Sequence, residues 1–428
     1  MKIFIPEPIP SGNKGEEAIL QGIAQGFINQ GIDPDLSVFS YTVDLENDRR
    51  NYAGQFTVIS GRQSFRPRPR SGRTRKLLET VSICLKHFSF ALLYRLIGEK
   101  ACFIFSKEYW RAYADAALIM VGHDGFISDL NLLLATFVKV IGKRSVIFGG
   151  GVKSFKLKIT EVLAKYILTF VDIIVVREKH CYRYFRSLGV PARKLFFRPD
   201  PAFIMEPSAR EEIDAMFVKE DLIDMRRPLI GMIALVETSY YRYFYGGSQD
   251  KEKKFKQHMD FFARMAENII DITSGTIVFV PHAVKTGFAK DDRMCAREIR
   301  KKMTRHYQHV VLMENEYSAR QLKGFIQRID FLVSQRLHAV ISASTVATPF
   351  IMVAVKEDYR SHDIIEHTVK TPELLFDLNN PTIDDFTKKF GLLWQRRKKI
   401  EKMLKQNAEG IKRDCNQAFE MMLERLGK

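Results

Sequence analysis

Arginine and histidine stand two residues apart in Ser334-Gln335-Arg336-Leu337-His338-Ala339. There an apolar run, Phe331–Ser334, gives way to a helical pattern, Leu337–Ala343. A guanidinium, an imidazole and the N–H groups of a helix start, Leu337 first among them, suit an oxyanion, above all a phosphate. The competing reading is a helix cap with Arg336 paired to a neighbouring carboxylate. A second histidine ends the strand pattern Val280-Pro281-His282. An imidazole titrates closest to neutral pH, so His282 and His338 are the natural acid–base candidates.

Glycine turns supply the other strand ends. Pro10-Ser11-Gly12-Asn13-Lys14-Gly15-Glu16-Glu17 leaves one strand pattern and enters a helix. Gly12 and Gly15 permit close backbone approach, and Asn13, Lys14 and Gly15 are weaker candidates for contact with an anion. The spacing fits neither a P-loop nor a dinucleotide fingerprint. Val121-Gly122-His123-Asp124-Gly125-Phe126-Ile127-Ser128-Asp129 follows an apolar strand, and Gly149-Gly150-Gly151 follows the next. Asp124 is the carboxylate of that first turn, while Asp129 reads as a helix cap. In Ile174-Val175-Val176-Arg177-Glu178 a cation ends a buried strand, which is costly unless it is paired or faces a ligand. Asp200, in Arg198-Pro199-Asp200-Pro201, reads as a residue that satisfies backbone donors. His362-Asp363-Ile364-Ile365-Glu366-His367 lacks both zinc-protease spacings and reads as a polar helix.

The elements that must carry these residues alternate strand and helix, an α/β pattern with parallel sheets. Strands are predicted at Lys2–Pro6, Leu36–Ser40, Phe56–Ser60, Ala117–Val121, Ser145–Phe148, Asp172–Val176 and Leu195–Arg198. A second series holds Leu229–Ala234, Thr276–Pro281, His309–Met313, Phe331–Ser334 and Phe350–Val355. The helix Glu16–Gln30 repeats Ile19, Ile23 and Phe27 on one face. Two such series predict two Rossmann-like domains facing a cleft. The first covers residues 1–205 and the second 228–383, with a charged linker at 206–227 and basic C-terminal helices at 384–428. Ligands of such sheets bind at the carboxyl ends of the strands. A basic insertion, 62–110, interrupts the first domain. Arg62–Lys76 holds seven cations and no acidic residue, and Leu77–Phe105 is amphipathic. It reads either as a solvated loop beside packed helices or as an anchor on anionic lipid.

With 428 residues, 46% hydrophobic, the chain is too apolar for a disordered protein and too long for one core. Five cysteines without metal-like spacing exclude a disulfide scaffold and predict reduced thiols in the cytoplasm. No run of eighteen uncharged apolar residues occurs, so no spanning helix is predicted. The net charge of +17 fits nucleic acid, an anionic membrane or anionic small substrates. No nucleic-acid module signature is present, so nucleic acid is not expected as a partner.

Taken in order, these residues resemble the polysaccharide pyruvyl transferase family. The matching positions are Gly12 through Ala18, Val176-Arg177-Glu178, Asp200 through Phe203, and Pro281-His282 with Asp291-Asp292 downstream. Ser334 through Ala339, followed by Thr348-Pro349, completes the set. Glu16 stands where the family usually has Asp, and Lys356, Tyr359 and Arg360 are candidates for its late Tyr and Lys. The resemblance implies a glycosyltransferase-B-like pair of domains. It also implies transfer of pyruvate from phosphoenolpyruvate to two hydroxyls of a sugar, in a polysaccharide or its lipid-linked precursor, as a cyclic ketal. On that reading Arg177 and Arg336 bind the donor's carboxylate and phosphate bidentately. The Leu337 N–H and His338 complete the phosphate pocket, His338 is the candidate acid, and His282 or Asp124 is the base. No cofactor and no metal are expected, and the enzyme is expected in the cytoplasm, peripherally at the inner face of the membrane. A nucleotide-sugar glycosyltransferase on the same frame is the alternative, and a non-catalytic basic binding protein is a third possibility.

Overall fold

The computed structural model describes residues 1–60, 73–123, 127–151, 155, 158–235, 250–284, 291–379 and 381–427. The chain forms two compact units. One comprises Met1–Ser11, Ile23–Pro201 and Asp414–Lys428, and the other Gly12–Gly22 and Ala202–Arg413.

The first unit is built on seven parallel strands. They are β1 (Lys2–Pro8), β2 (Asp35–Ser40), β3 (Thr57–Ser60), β4 (Leu118–Met120), β5 (Ser145–Gly150), β6 (Ile173–Val176) and β7 (Leu195–Phe197), in the order β3-β2-β1-β4-β5-β6-β7. The second unit holds β8 (Leu229–Ile233), β9 (Thr276–Phe279), β10 (Val310–Leu312), β11 (Phe331–Ser334), β12 (Phe350–Ala354) and β13 (Leu375–Asp377), in the order β10-β9-β8-β11-β12-β13. Among the described residues every pairing between these strands is parallel. Parallel strands are covered on both faces, so they need continuous apolar runs, and Ile173 through Val176 are wholly buried. Both orders reverse at the central strand, between β1 and β4 and between β8 and β11. Crevices for ligands form at such points.

Residues 206–227 are not a plain linker. They carry the helix Arg210–Lys219, which buries Ile213, Met216 and Phe217 and packs on the helix Ala319–Gln327 of the second unit. The loop and first turns of the helix Lys14–Asn29 also belong to that unit. The C-terminal stretch forms two helices, Ile383–Gln395 and Arg397–Arg425.

Within the basic insertion, residues 62–72 lie outside the described residues. The helix Arg73–Ile97 follows and turns His87 and Phe90 against Trp110 and Phe137 of the first unit. Burial holds the His87 imidazole neutral, lowering its pKa from the ordinary 6.5 to about 4, while Ile83 O takes its Nδ1 hydrogen. The unfolded imidazole protonates near 6.5 and the folded one only near 4. The stability this group contributes is therefore complete above pH 6.5 and is lost as pH falls toward 4. His87→Phe should remove that dependence. Between pH 7 and 4, urea denaturation should show the variant losing about 3 kcal/mol less stability than the wild type. Equal losses in both proteins would contradict the assignment.

Candidate functional site

At the carboxyl ends of β9 and β11 the second unit gathers a compact set of polar side chains. Arg336 precedes the helix Leu337–Thr345 with an extended backbone, φ −95° and ψ 114°. Its N–H donates to Ser334 Oγ at 2.9 Å, and that hydroxyl donates to Arg336 O at 3.0 Å. This clamp fixes the turn from which the guanidinium leaves.

Asp292 receives the guanidinium in a two-point pair, Nη2 to Oδ1 at 2.7 Å and Nε to Oδ2 at 3.2 Å. The same carboxylate accepts the N–H groups of His282 at 3.1 Å and Ala283 at 2.8 Å. One buried Asp thus ties the end of β9 to the end of β11. Burial raises the Asp292 pKa and Arg336 opposes that rise. The carboxylate pairing weighed for Arg336 is therefore present, and it sets the plane of a half-buried guanidinium. Gln335 supports the turn from behind, accepting from Leu235 N at 2.9 Å and lying 3.0 Å from His258 Nε2.

The N-terminal glycine loop completes the set. Asn13 bridges to Ala283 in antiparallel fashion, Lys14 N donates to His282 O at 3.0 Å and Val284 N donates to Gly12 O at 2.8 Å. Gly15 lies against the His338 ring, and a Cβ added there would sit 2.6 Å from Nδ1. His282 is buried, and its pKa lies well below 6.5. Burial is the main cause, followed by the charges of Arg336, His338 and Lys14. Its imidazole is neutral at neutral pH.

The clash at Gly15 makes a test. In Gly15→Ala the new methyl meets the movable end of a side chain, so His338 swings aside while the backbone stays. Turnover should fall about 10- to 100-fold with little change in melting temperature. Wild-type turnover in this variant would show that the position of His338 is immaterial.

Lys14 sits otherwise than the sequence suggested. It is 1% exposed, with Nζ 3.1 Å from both Glu17 and Glu316. Glu17 in turn accepts Ala319 N at 2.9 Å, at the start of the helix Ala319–Gln327. Lys14 therefore holds the glycine loop to the segment before the helix Ala319–Gln327, and its charge is spent on two carboxylates. The carboxamide of Asn13 also turns back on its own loop, accepting Gly15 N at 3.2 Å and donating to Glu16 at 3.0 Å.

Arg177 corrects the expectation of a ligand-facing cation. Its side chain is fully buried in the first unit, bonded to Asp200 and 3.5 Å from Glu178 Oε1. Asp200, read as a backbone partner, is instead the counter-ion of this arginine, and a buried guanidinium with such partners braces β6 against the turn after β7. Asp124 lies outside the described residues. Beside it the first unit carries a cluster that sequence reading passed over. Glu7 of β1 accepts Gly122 N at 2.6 Å and Asn131 Nδ2 at 2.5 Å, and His123 Nδ1 is 3.6 Å away. A carboxylate inside an apolar strand, between Pro6 and Pro8, was the available signal. In the stretch 362–367, His362 and His367 lie 3.8 and 3.3 Å from Glu366 and Asp363. Ile364 and Ile365 are buried there, so that helix is amphipathic.

Solved structures with this architecture are known. UDP-GlcNAc 2-epimerase from Neisseria meningitidis, bound to UDP-GlcNAc, is 10% identical. It aligns over 99% of both chains with a TM-score of 0.56. Alr3699/HepE from Anabaena, in complex with UDP-glucose, is 11% identical over 99% of both chains, with a TM-score of 0.55. UDP-GlcNAc 2-epimerase from Methanocaldococcus jannaschii is 11% identical over 91% of this chain and 92% of its own, with a TM-score of 0.53. At such identities the likeness is one of fold, and it defines a glycosyltransferase-B-like protein of two Rossmann-like units. No curated protein matches the sequence. The pattern of the polysaccharide pyruvyl transferase family does match, over residues 13–357, and the chain belongs to that family of transferases.

Proposed function

We propose that the protein transfers pyruvate from phosphoenolpyruvate to two hydroxyls of one sugar, in a cell-surface polysaccharide or its lipid-linked precursor. The product is a cyclic ketal. The observation that carries this reading is Arg336, oriented by Asp292 and standing with His338 at the start of a helix. A planar guanidinium and helix N–H groups suit a phosphate dianion.

The chemistry divides among these residues. Arg336 and the Leu337 N–H hold the phosphate. His338 binds it too and donates a proton to the terminal methylene, which becomes a methyl. Carbon two then has oxocarbenium character and takes the first sugar oxygen, whose proton passes to a base. The second hydroxyl displaces phosphate from the same carbon, and its proton leaves with the phosphate. His282 is the candidate base: burial first, and then the charges of Arg336, His338 and Lys14, keep it neutral, and the donor's negative charge offsets the charge part of that depression. The scheme calls on no cofactor and no metal. Five free cysteines accord with a reducing compartment, and we place the reaction on the cytoplasmic side of the cell membrane.

A reaction in deuterium oxide with lipid-linked glycan acceptors tests the reading. One deuterium should enter the methyl of each ketal, and one phosphate should be released with it. The nucleotide complexes of the similar folds make glycosyl transfer the rival. Consumption of a nucleotide sugar with phosphoenolpyruvate untouched would establish that rival instead.

A further inference from the structure

The helix Arg73–Ile97 is apolar on two opposite sides. At about 100° per residue, His87, Phe90 and Ala91 fall on one side and are buried in the first unit. Leu78, Val81, Leu85, Leu92 and Leu96 fall within about 60° of arc on the other. These five are 48% to 72% exposed. Core packing does not account for that second stripe, since only 17% of the most apolar window in Leu78–Ile104 is buried. The helix Lys158–Leu168 repeats the pattern, with Ile159, Val162, Leu163 and Tyr166 exposed and Ala164 and Leu168 buried. Both helices pack on the helix Asp129–Val140 between them, so the two stripes belong to one helical layer.

We infer that this layer docks on an anionic phospholipid surface, with the two stripes in the headgroup–acyl boundary. Length and mean hydropathy, 1.3, would also permit Leu78–Ile104 to cross a membrane. The buried side argues against crossing, because His87, Phe90 and Ala91 commit that side of the helix to protein. What remains is a helix lying in the plane of the interface. Charge selects the lipid. Among the described residues of these two segments, Lys86, Arg95, Lys100, Lys158 and Lys165 are exposed cations, against Glu99 as the one exposed carboxylate. Cations beside an apolar face strengthen binding to anionic headgroups, whereas a second copy of the same face would set cation against cation.

The test is co-sedimentation of the full chain with phosphatidylcholine vesicles, with and without phosphatidylglycerol. The wild type should bind the anionic vesicles, less so at high salt, and bind neutral ones weakly. Leu85→Asp with Leu92→Asp should lower the partition coefficient at least about thirtyfold. Ile159→Asp with Val162→Asp, on the second helix, provides an independent variant if the first misfolds. Absence of wild-type binding, or equal binding by the folded variants, would overturn the inference. So would a dimer in sedimentation that the substitutions dissociate, since a second copy would then cover the face. Vesicle binding requires neither donor nor acceptor, so it stands or falls separately from the proposed reaction.

Discussion

Replacing Arg336 by alanine should lower kcat/KM for phosphate release from phosphoenolpyruvate by at least about a thousandfold. Two losses combine. The donor phosphate loses the guanidinium that meets its charge, and Asp292, 3% exposed, loses its two-point partner. An Asp292 carboxyl already raised by burial then rises further, toward its neutral form. A neutral acid holds the His282 and Ala283 N–H groups less firmly, so the end of β9 loosens as well. Arg336→Lys restores charge without the planar fork and should recover only part of the activity. Steady-state kinetics with both variants decides the matter. Alanine activity within tenfold of wild type would remove Arg336 from the site.

Arg177 should behave in the opposite way. Arg177→Ala leaves the Asp200 and Glu178 side chains, each 0% exposed, with a buried counter-charge gone. Breaking a buried pair on one side costs about 3 to 5 kcal/mol, so the variant should melt far below the wild type or fail to accumulate as folded protein. The fraction that folds should bind phosphoenolpyruvate with wild-type affinity. Arg177→Met with Asp200→Asn removes the charges of the bonded pair but leaves the Glu178 carboxylate buried, and should regain part of the stability. A stable Arg177→Ala protein that fails to bind donor would restore this arginine to the ligand.

Local pattern located the elements that carry the two arginines but not the partner of either, because that partner is set by contacts distant along the chain. Apolar runs and 3.6-residue repeats report local geometry, and they located twelve strands and the helix carrying Ile19, Ile23 and Phe27. They are silent about which carboxylate meets a given cation. Arg177 finds Asp200 23 residues on, Arg336 finds Asp292 44 residues back, and Lys14 finds Glu316 302 residues away. The Gly12–Gly22 segment joins the second unit through such contacts, with Ala283 and Ala319. The helix Arg210–Lys219 was hidden for another reason, since its charged exposed side outnumbers its three core residues. β13 escaped because its short apolar run, Leu374-Leu375-Phe376, is cut off by Glu373 and Asp377.

Calorimetric titration of phosphoenolpyruvate tests the central claim most directly, because it needs no acceptor. The wild type should bind one donor per chain in competition with inorganic phosphate, and Arg336→Ala should bind at least about thirtyfold more weakly. A wild type that is silent to phosphoenolpyruvate yet binds a uridine or guanosine nucleotide would contradict it.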